Sequence, residues 1–199
     1  TEAGIKEREE KGLLDFAVNG EKSMKDIKKS MERMTGATQE IGEIMQKRTK
    51  EANETQRSRV PGTASRMHKI AKAIAVDMIQ YAKKLEEEQP KLHNGWKLFN
   101  ENTEGFIRTA HIRSKKDKEA VIKFRNIIDK FKAVNRDTLD KIQKYQEAIT
   151  GLRGISREVN RASNRVASIL DLIIADFAAA DSYCTKVITL IDEKIEQEG

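Results

Sequence analysis

MKDIKKSMERMTGATQEIGEIM, residues 24–45, decides how the chain folds. Steps of three and four in alternation pass through Met24, Ile27, Met31, Met34, Thr38, Ile41 and Met45. Polar and charged residues fill most of the gaps. The mean step of 3.5 residues is that of a helix packed along a seam against other helices. The line continues outward through Leu13, Ala17 and Gly20 on one side and Arg48 and Ala52 on the other. A first helix is therefore expected over residues 3–57, with Gly20 a soft spot in it.

Three more stretches obey the same rule. Val60-Pro61-Gly62 breaks the pattern, and Thr63 or Ser65 can cap a second helix. The seam restarts at Met67 and runs through Ile74, Met78, Leu85, Leu92, Trp96, Phe99 and Phe106. It keeps phase across Pro90, so this second helix is expected over 63–112 with a kink near that proline. The polar run 89–105, with Gly95 and Gly105, leaves a loop there as the alternative. Ser114 can cap a third helix over 115–150, and Gly151 and Gly154 mark its end. A fourth helix over 155–197 carries Val159, Val166, Leu170, Ile173, Phe177, Cys184 and Val187.

Short turns make successive helices antiparallel neighbours. The fold expected is all-α: an elongated, antiparallel, up-down four-helix bundle of coiled-coil-like helices forming one domain over 1–199. Such helices span roughly 60 to 80 Å. Composition agrees. Of 199 residues, 35% are charged and only 5% aromatic, which suits long solvated helices better than sheets. Cys184 is the only cysteine, which rules out an intrachain disulfide and leans toward a reducing compartment. No run of about 18 uncharged apolar residues exists to span a membrane. The N-terminus lacks the apolar core of a signal peptide. Since the chain opens on Thr1, it is expected to be a piece of a longer protein. The expected location is cytoplasmic, with a membrane surface as possible docking ground.

Catalytic, cofactor and metal motifs are not found. His68, His93 and His111 lack the Glu three residues before them that di-iron bundles use, and no HExxH or cysteine pair suggests zinc. The glycine pair at 151 and 154 lacks the Lys-Ser/Thr of a phosphate-binding loop. Cys184 lies on the apolar face of its helix and reads as a buried structural thiol. Asp171, Asp176 and Asp181, spaced by five, do not share a helix face and read as solvent or inter-helix charges. Met24, Met31, Met34 and Met45 read as core, with an adaptable partner surface as the alternative. Trp96 reads as core filling, with a ligand pocket beside the Pro90 kink as its alternative.

One pattern asks for a partner. Arg153, Arg157, Arg161 and Arg165 recur every four residues, a slanted ridge about 18 Å long on one helix side. Like charges at that spacing repel, so the row needs carboxylates on a neighbouring helix or an anionic partner. An up-down bundle brings both turns of that pole together. Residues 47–72 hold eight Lys/Arg against two Glu, and residues 144–165 hold five against two. The pole thus carries a net +9 in a chain whose net charge is +6. The candidate anionic-partner residues are Arg153, Arg157, Arg161, Arg165, Arg57, Arg59, Arg66 and Lys69. The function expected is a non-enzymatic interaction or signalling module that takes a protein partner or self-associates. The alternative is a peripheral domain recognising anionic lipid. Nucleic acid is disfavoured, because few aromatics interleave the basic residues. No cofactor or small-molecule substrate is evident.

Four long helices with charged faces resemble the sensor bundles of bacterial chemoreceptors, and Gly36-Ala37-Thr38-Gln39-Glu40 superficially resembles their adaptation sites. That resemblance implies signalling, although the chain departs from it in lacking flanking membrane spans. Long bundles with basic ends also resemble crescent-shaped membrane-curving domains, which implies basic residues on a concave dimer face. The residues identify no particular family.

Overall fold

The computed structural model describes residues 2–150, 152 and 154–198, with the side chains of all of these except residues 2, 3, 5–14, 16 and 150. Four helices succeed one another: α1 (Glu2–Ser58), α2 (Thr63–Thr109), α3 (Lys115–Thr150) and α4 (Arg157–Glu198). No strand occurs among the described residues. The contacts between helices are those of a bundle.

The seam explains the helices. Ala17, Met24, Ile27, Met31, Met34, Ile41, Met45 and Ala52 are all buried on α1. Leu13 of the same line lies outside the described side chains. α2 runs unbroken through Pro90 to Thr109, so the loop alternative at 89–105 is overturned. The reason is visible in burial: Leu92, Trp96, Phe99 and Phe106 lie in the core, and Thr103 is buried on the same helix. Packing of that face outweighs the two glycines and the lost hydrogen bond at the proline. The four early methionines are core residues, Met31, Met34 and Met45 at 1% exposure each.

Two compact units divide the chain, and every helix contributes to both. Unit 1 comprises residues 1–30, 91–137 and 176–199; unit 2 comprises residues 31–90 and 138–175.

In unit 1 the core is aromatic. Trp96 stands edge-on to Phe99 and Phe131, with ring centroids 5.7 and 4.7 Å apart, and Phe106 stacks on Phe124 at 4.2 Å. Gly20 is buried within α1. A Cβ there would come within 2.8 Å of the Phe124 ring, so the expected soft spot is a seat for an aromatic side chain. Ser114 caps α3 as expected, its hydroxyl accepting from the Asp117 N–H at 3.2 Å. Asp117 in turn accepts from the Arg113 N–H at 3.0 Å. Charged pairs tie the faces together. Arg125 clasps Asp192 and Arg136 clasps Asp181, each through two guanidinium nitrogens. The Asp176 carboxylate stands 3.2 Å from His93 Nδ1. Asp176 and Asp181 are therefore inter-helix charges, while Asp171 of unit 2 is exposed. Cys184 is buried, and burial pushes its thiol up to about 12, out of reach of nucleophilic chemistry at neutral pH.

In unit 2 the core is built from Met31, Met34, Met45, Met78, Ile74, Leu85, Val166 and Leu170. Tyr81 is buried, with its hydroxyl 2.6 Å from Thr38 Oγ1. Desolvation pushes the phenol up to about 12 although the Thr38 contact works the other way. Gly42 lets Tyr145 lie against α1, since a Cβ on Gly42 would run into the ring.

Candidate anionic-partner site

All eight candidate residues belong to unit 2, and seven are described; Arg153 lies outside the described residues. Two turns position them. The α1–α2 turn places Pro61 and Gly62 at its centre and is closed by the Thr63 N–H on the Val60 carbonyl at 3.2 Å. Gly62 has φ of 90°, which suits the second central position of a type II turn. The Thr63 hydroxyl donates to the same Val60 carbonyl at 2.5 Å and does not act as the helix cap expected of it. Instead the Gly62 carbonyl receives the first helical bond, from Arg66 N–H at 3.1 Å.

Just past the end of α1, Arg59 takes φ of 44°, a left-handed position that usually falls to glycine. A side chain with a Cβ costs about 1–2 kcal/mol there. This feature carries no sequence signal, because Gly or Asn is the usual marker and Arg is not. Val60, next in the chain, is 47% exposed, and Arg57, Arg59, Arg66 and Lys69 surround it in sequence, all exposed.

The α3–α4 turn has Gly154 at φ of 97°, its N–H donating to Asn160 Oδ1 at 2.8 Å. Ser156 caps α4 by accepting from the Val159 N–H at 3.1 Å. The helix therefore starts at Arg157, two residues later than the expected 155.

The arginine row divides. Arg165 is held by Glu86 of α2, both guanidinium contacts at 2.7 Å. That bond raises the Arg165 guanidinium further and lowers the Glu86 carboxyl. Arg157 and Arg161 are exposed. Among the described residues, neither they nor Arg57, Arg59, Arg66 and Lys69 lie within ion-pair distance of a carboxylate. The row is thus answered in two ways, one member by an internal carboxylate and two by none.

Two clefts open among these residues. One, about 460 Å³, lies beside the α1–α2 turn and is lined by Glu54, Thr55, Ser58, Arg66, Lys69 and Ile70 among others. The second, about 390 Å³, has Ala75, Ile79, Ala162 and the 47% exposed Val76 on its apolar side and Lys72, Arg161 and Arg165 on its basic side. Glu158 is its one acidic wall. An anionic partner with apolar flanks matches that chemistry.

Of the three histidines, His93 pairs with Asp176, His111 stands 3.9 Å from Glu198, and His68 is exposed. Among the described residues no group of three or more His, Cys, Asp or Glu is placed to hold a metal ion, and no helix is long and apolar enough to cross a membrane. No family model, curated protein or solved structure matches the chain.

Proposed function

We propose that this chain is a non-enzymatic helical-bundle interaction module that docks an anionic partner on the basic end of unit 2. The observation that carries this reading is the set of six exposed Lys and Arg around the two turns with no carboxylate in pairing distance. Beside this cluster Arg165 is answered by Glu86, which marks the contrast between a paired and an unpaired cation within one unit. Arg59 supports the same reading. A strained backbone kept at a position where glycine is easier is the kind of cost found at functional sites.

The proposal includes an antiparallel, up-down arrangement. In unit 2, Arg33 meets Glu88, Thr38 meets Tyr81 and Arg48 meets Asp77, so numbers rise on α1 as they fall on α2. Also in unit 2, Met31 meets Thr138 and Gly42 meets Tyr145, so α1 and α3 run the same way. In unit 1, Arg125 meets Asp192 and Arg136 meets Asp181, so α3 and α4 oppose each other. Beyond the level of Tyr145, α3 has five residues left and α1 has sixteen. The α1–α2 turn then extends about 16 Å past the end of α3, which sets its cations apart as a docking tip.

The test is a titration with poly-glutamate at low and physiological salt. Saturable binding that weakens with salt, and that the triple change Arg57→Gln, Arg66→Gln, Arg161→Gln abolishes without altering the melting transition, supports the proposal. Equal binding by the variant would overturn it. A second reading, an anionic bilayer as the partner, is favoured by the exposure of Val60 at the centre of the arginine cluster. Its mark would be binding to anionic but not neutral vesicles, reduced by Val60→Asp.

A further inference from the structure

We infer that a cleft in unit 1 is a binding site for a small hydroxylated amine, independent of the basic end of unit 2. The cleft has a volume of about 310 Å³ and lies between α2 and α4. Two of its wall residues carry buried polar atoms without a hydrogen-bond partner: Trp96 Nε1 and Asn100 Oδ1. Trp96 is only 6% exposed. One orphan is a donor and the other an acceptor. They belong to residues four apart, neighbouring positions on one face of α2. Buried polar atoms are paired in nearly every native protein, so two unpaired ones of opposite kind in one cleft point to something that belongs there. A hydroxyl meets both, accepting from the indole N–H and donating to the amide oxygen.

Charge sets the rest of the ligand. Glu101, Glu104 and Asp176 line the cleft against Lys97 and His93, and His93 is already engaged with Asp176 at 3.2 Å. The excess of carboxylate suits a cationic group beside the hydroxyl. The opposite wall is Ala179 and Ala180, whose small side chains leave the room.

The site is pre-organised. Edge-on packing against Phe99 and Phe131 fixes the Trp96 indole, and the Tyr183 hydroxyl donates to the Asn100 backbone carbonyl at 3.1 Å. Small-molecule sites are built in this way, from an apolar, rigid wall with few convergent polar groups.

Trp96 is the only tryptophan in the chain, so its fluorescence reports on this cleft alone. The probes are glucosamine, glucose and glucuronate, which share hydroxyls and differ in charge. Glucosamine should change the emission saturably, glucose should bind about tenfold more weakly, and glucuronate should give no saturable change. Asn100→Ala keeps the reporter and should weaken glucosamine about tenfold with unchanged circular dichroism. Should that variant fold poorly, the exposed Glu104→Gln serves instead, with about a threefold loss. An emission unmoved by glucosamine, an equal response to glucuronate, or an unaltered affinity in a folded Asn100→Ala or Glu104→Gln variant would each overturn the site.

Discussion

All six phenylalanines and the single tryptophan fall in unit 1, while five of the six methionines fall in unit 2. Both regions carry ion pairs between helices. In unit 1, Arg125, Arg136 and His93 each meet an acid on another helix. In unit 2, Arg33, Arg48, Lys84 and Arg165 do the same, while the six cations around the two turns do not. Rigid aromatic packing is what a region needs to hold its own shape. Flexible thioethers suit a region that adapts to something else. One seam repeat can thus be filled in two ways, and the filling tells more about use than the repeat does.

The largest effects should come from the cores. Phe177→Ala in unit 1 should lower stability by about 3–5 kcal/mol, read from the urea midpoint. Met34→Leu in unit 2 should cost less than about 1.5 kcal/mol, because shape and volume are nearly kept. A Met34→Leu loss as large as that of Phe177→Ala would break the contrast. Two glycines on α1 sharpen it next. Gly42→Ala drives a Cβ into Tyr145 and should cost about 1–3 kcal/mol, whereas nothing lies within 4 Å of a Cβ on Gly36. Gly36→Ala should therefore stabilise by about 1 kcal/mol through helix propensity alone. Equal effects in thermal melts would mean that Tyr145 does not need that gap.

Comparable in size to the glycine changes is Arg59→Gly. Relief of the left-handed backbone should raise stability by about 1–2 kcal/mol while poly-glutamate binding weakens. Opposite signs in the two assays would mark Arg59 as kept for binding; a variant both less stable and equally bound would contradict that. The smallest effect concerns Glu86. Its folded-state carboxyl is lowered below 4.5, chiefly by the hydrogen bond to Arg165. The pair thus stabilises the fold above the unfolded carboxyl value and loses that contribution as pH falls through the lowered one. The stability gap between wild type and Glu86→Gln should close on acidification; a gap constant from neutral pH down to pH of about 2 would contradict the pairing.

Much of the fold was legible because burial tracks the seam. From Ala17 to Ile191 the apolar seam residues proved buried, with only Met67 and Tyr145 half-exposed. The continuity of α2 through Pro90 was legible for the same reason, since Leu92 and Trp96 keep phase whatever the local propensities say. The seating of Tyr145 on Gly42 was not, because 3.5-residue spacing does not say which residue of another helix arrives opposite. Nor was the partner of Arg165. Glu86 lies 79 residues away, and only packing brings it near. The boundaries of the two units were not legible in the repeat either, which passes Ser30 and Asp137 without a break. At the candidate site the cationic excess was plain from counting, whereas the strain at Arg59 was hidden by the identity of the residue.

The interleaving of the two units bears on how the chain is made. Neither unit is a continuous stretch: α4 supplies residues 157–175 to unit 2 and residues 176–198 to unit 1. Domains that are continuous can close one after another as they leave the ribosome. Here Val159, Val166 and Leu170 are missing from one core, and Phe177, Cys184 and Val187 from the other, until α4 is synthesised. Until the 42 residues of α4 emerge, the methionine and phenylalanine faces of α1 to α3 both lack a packing partner.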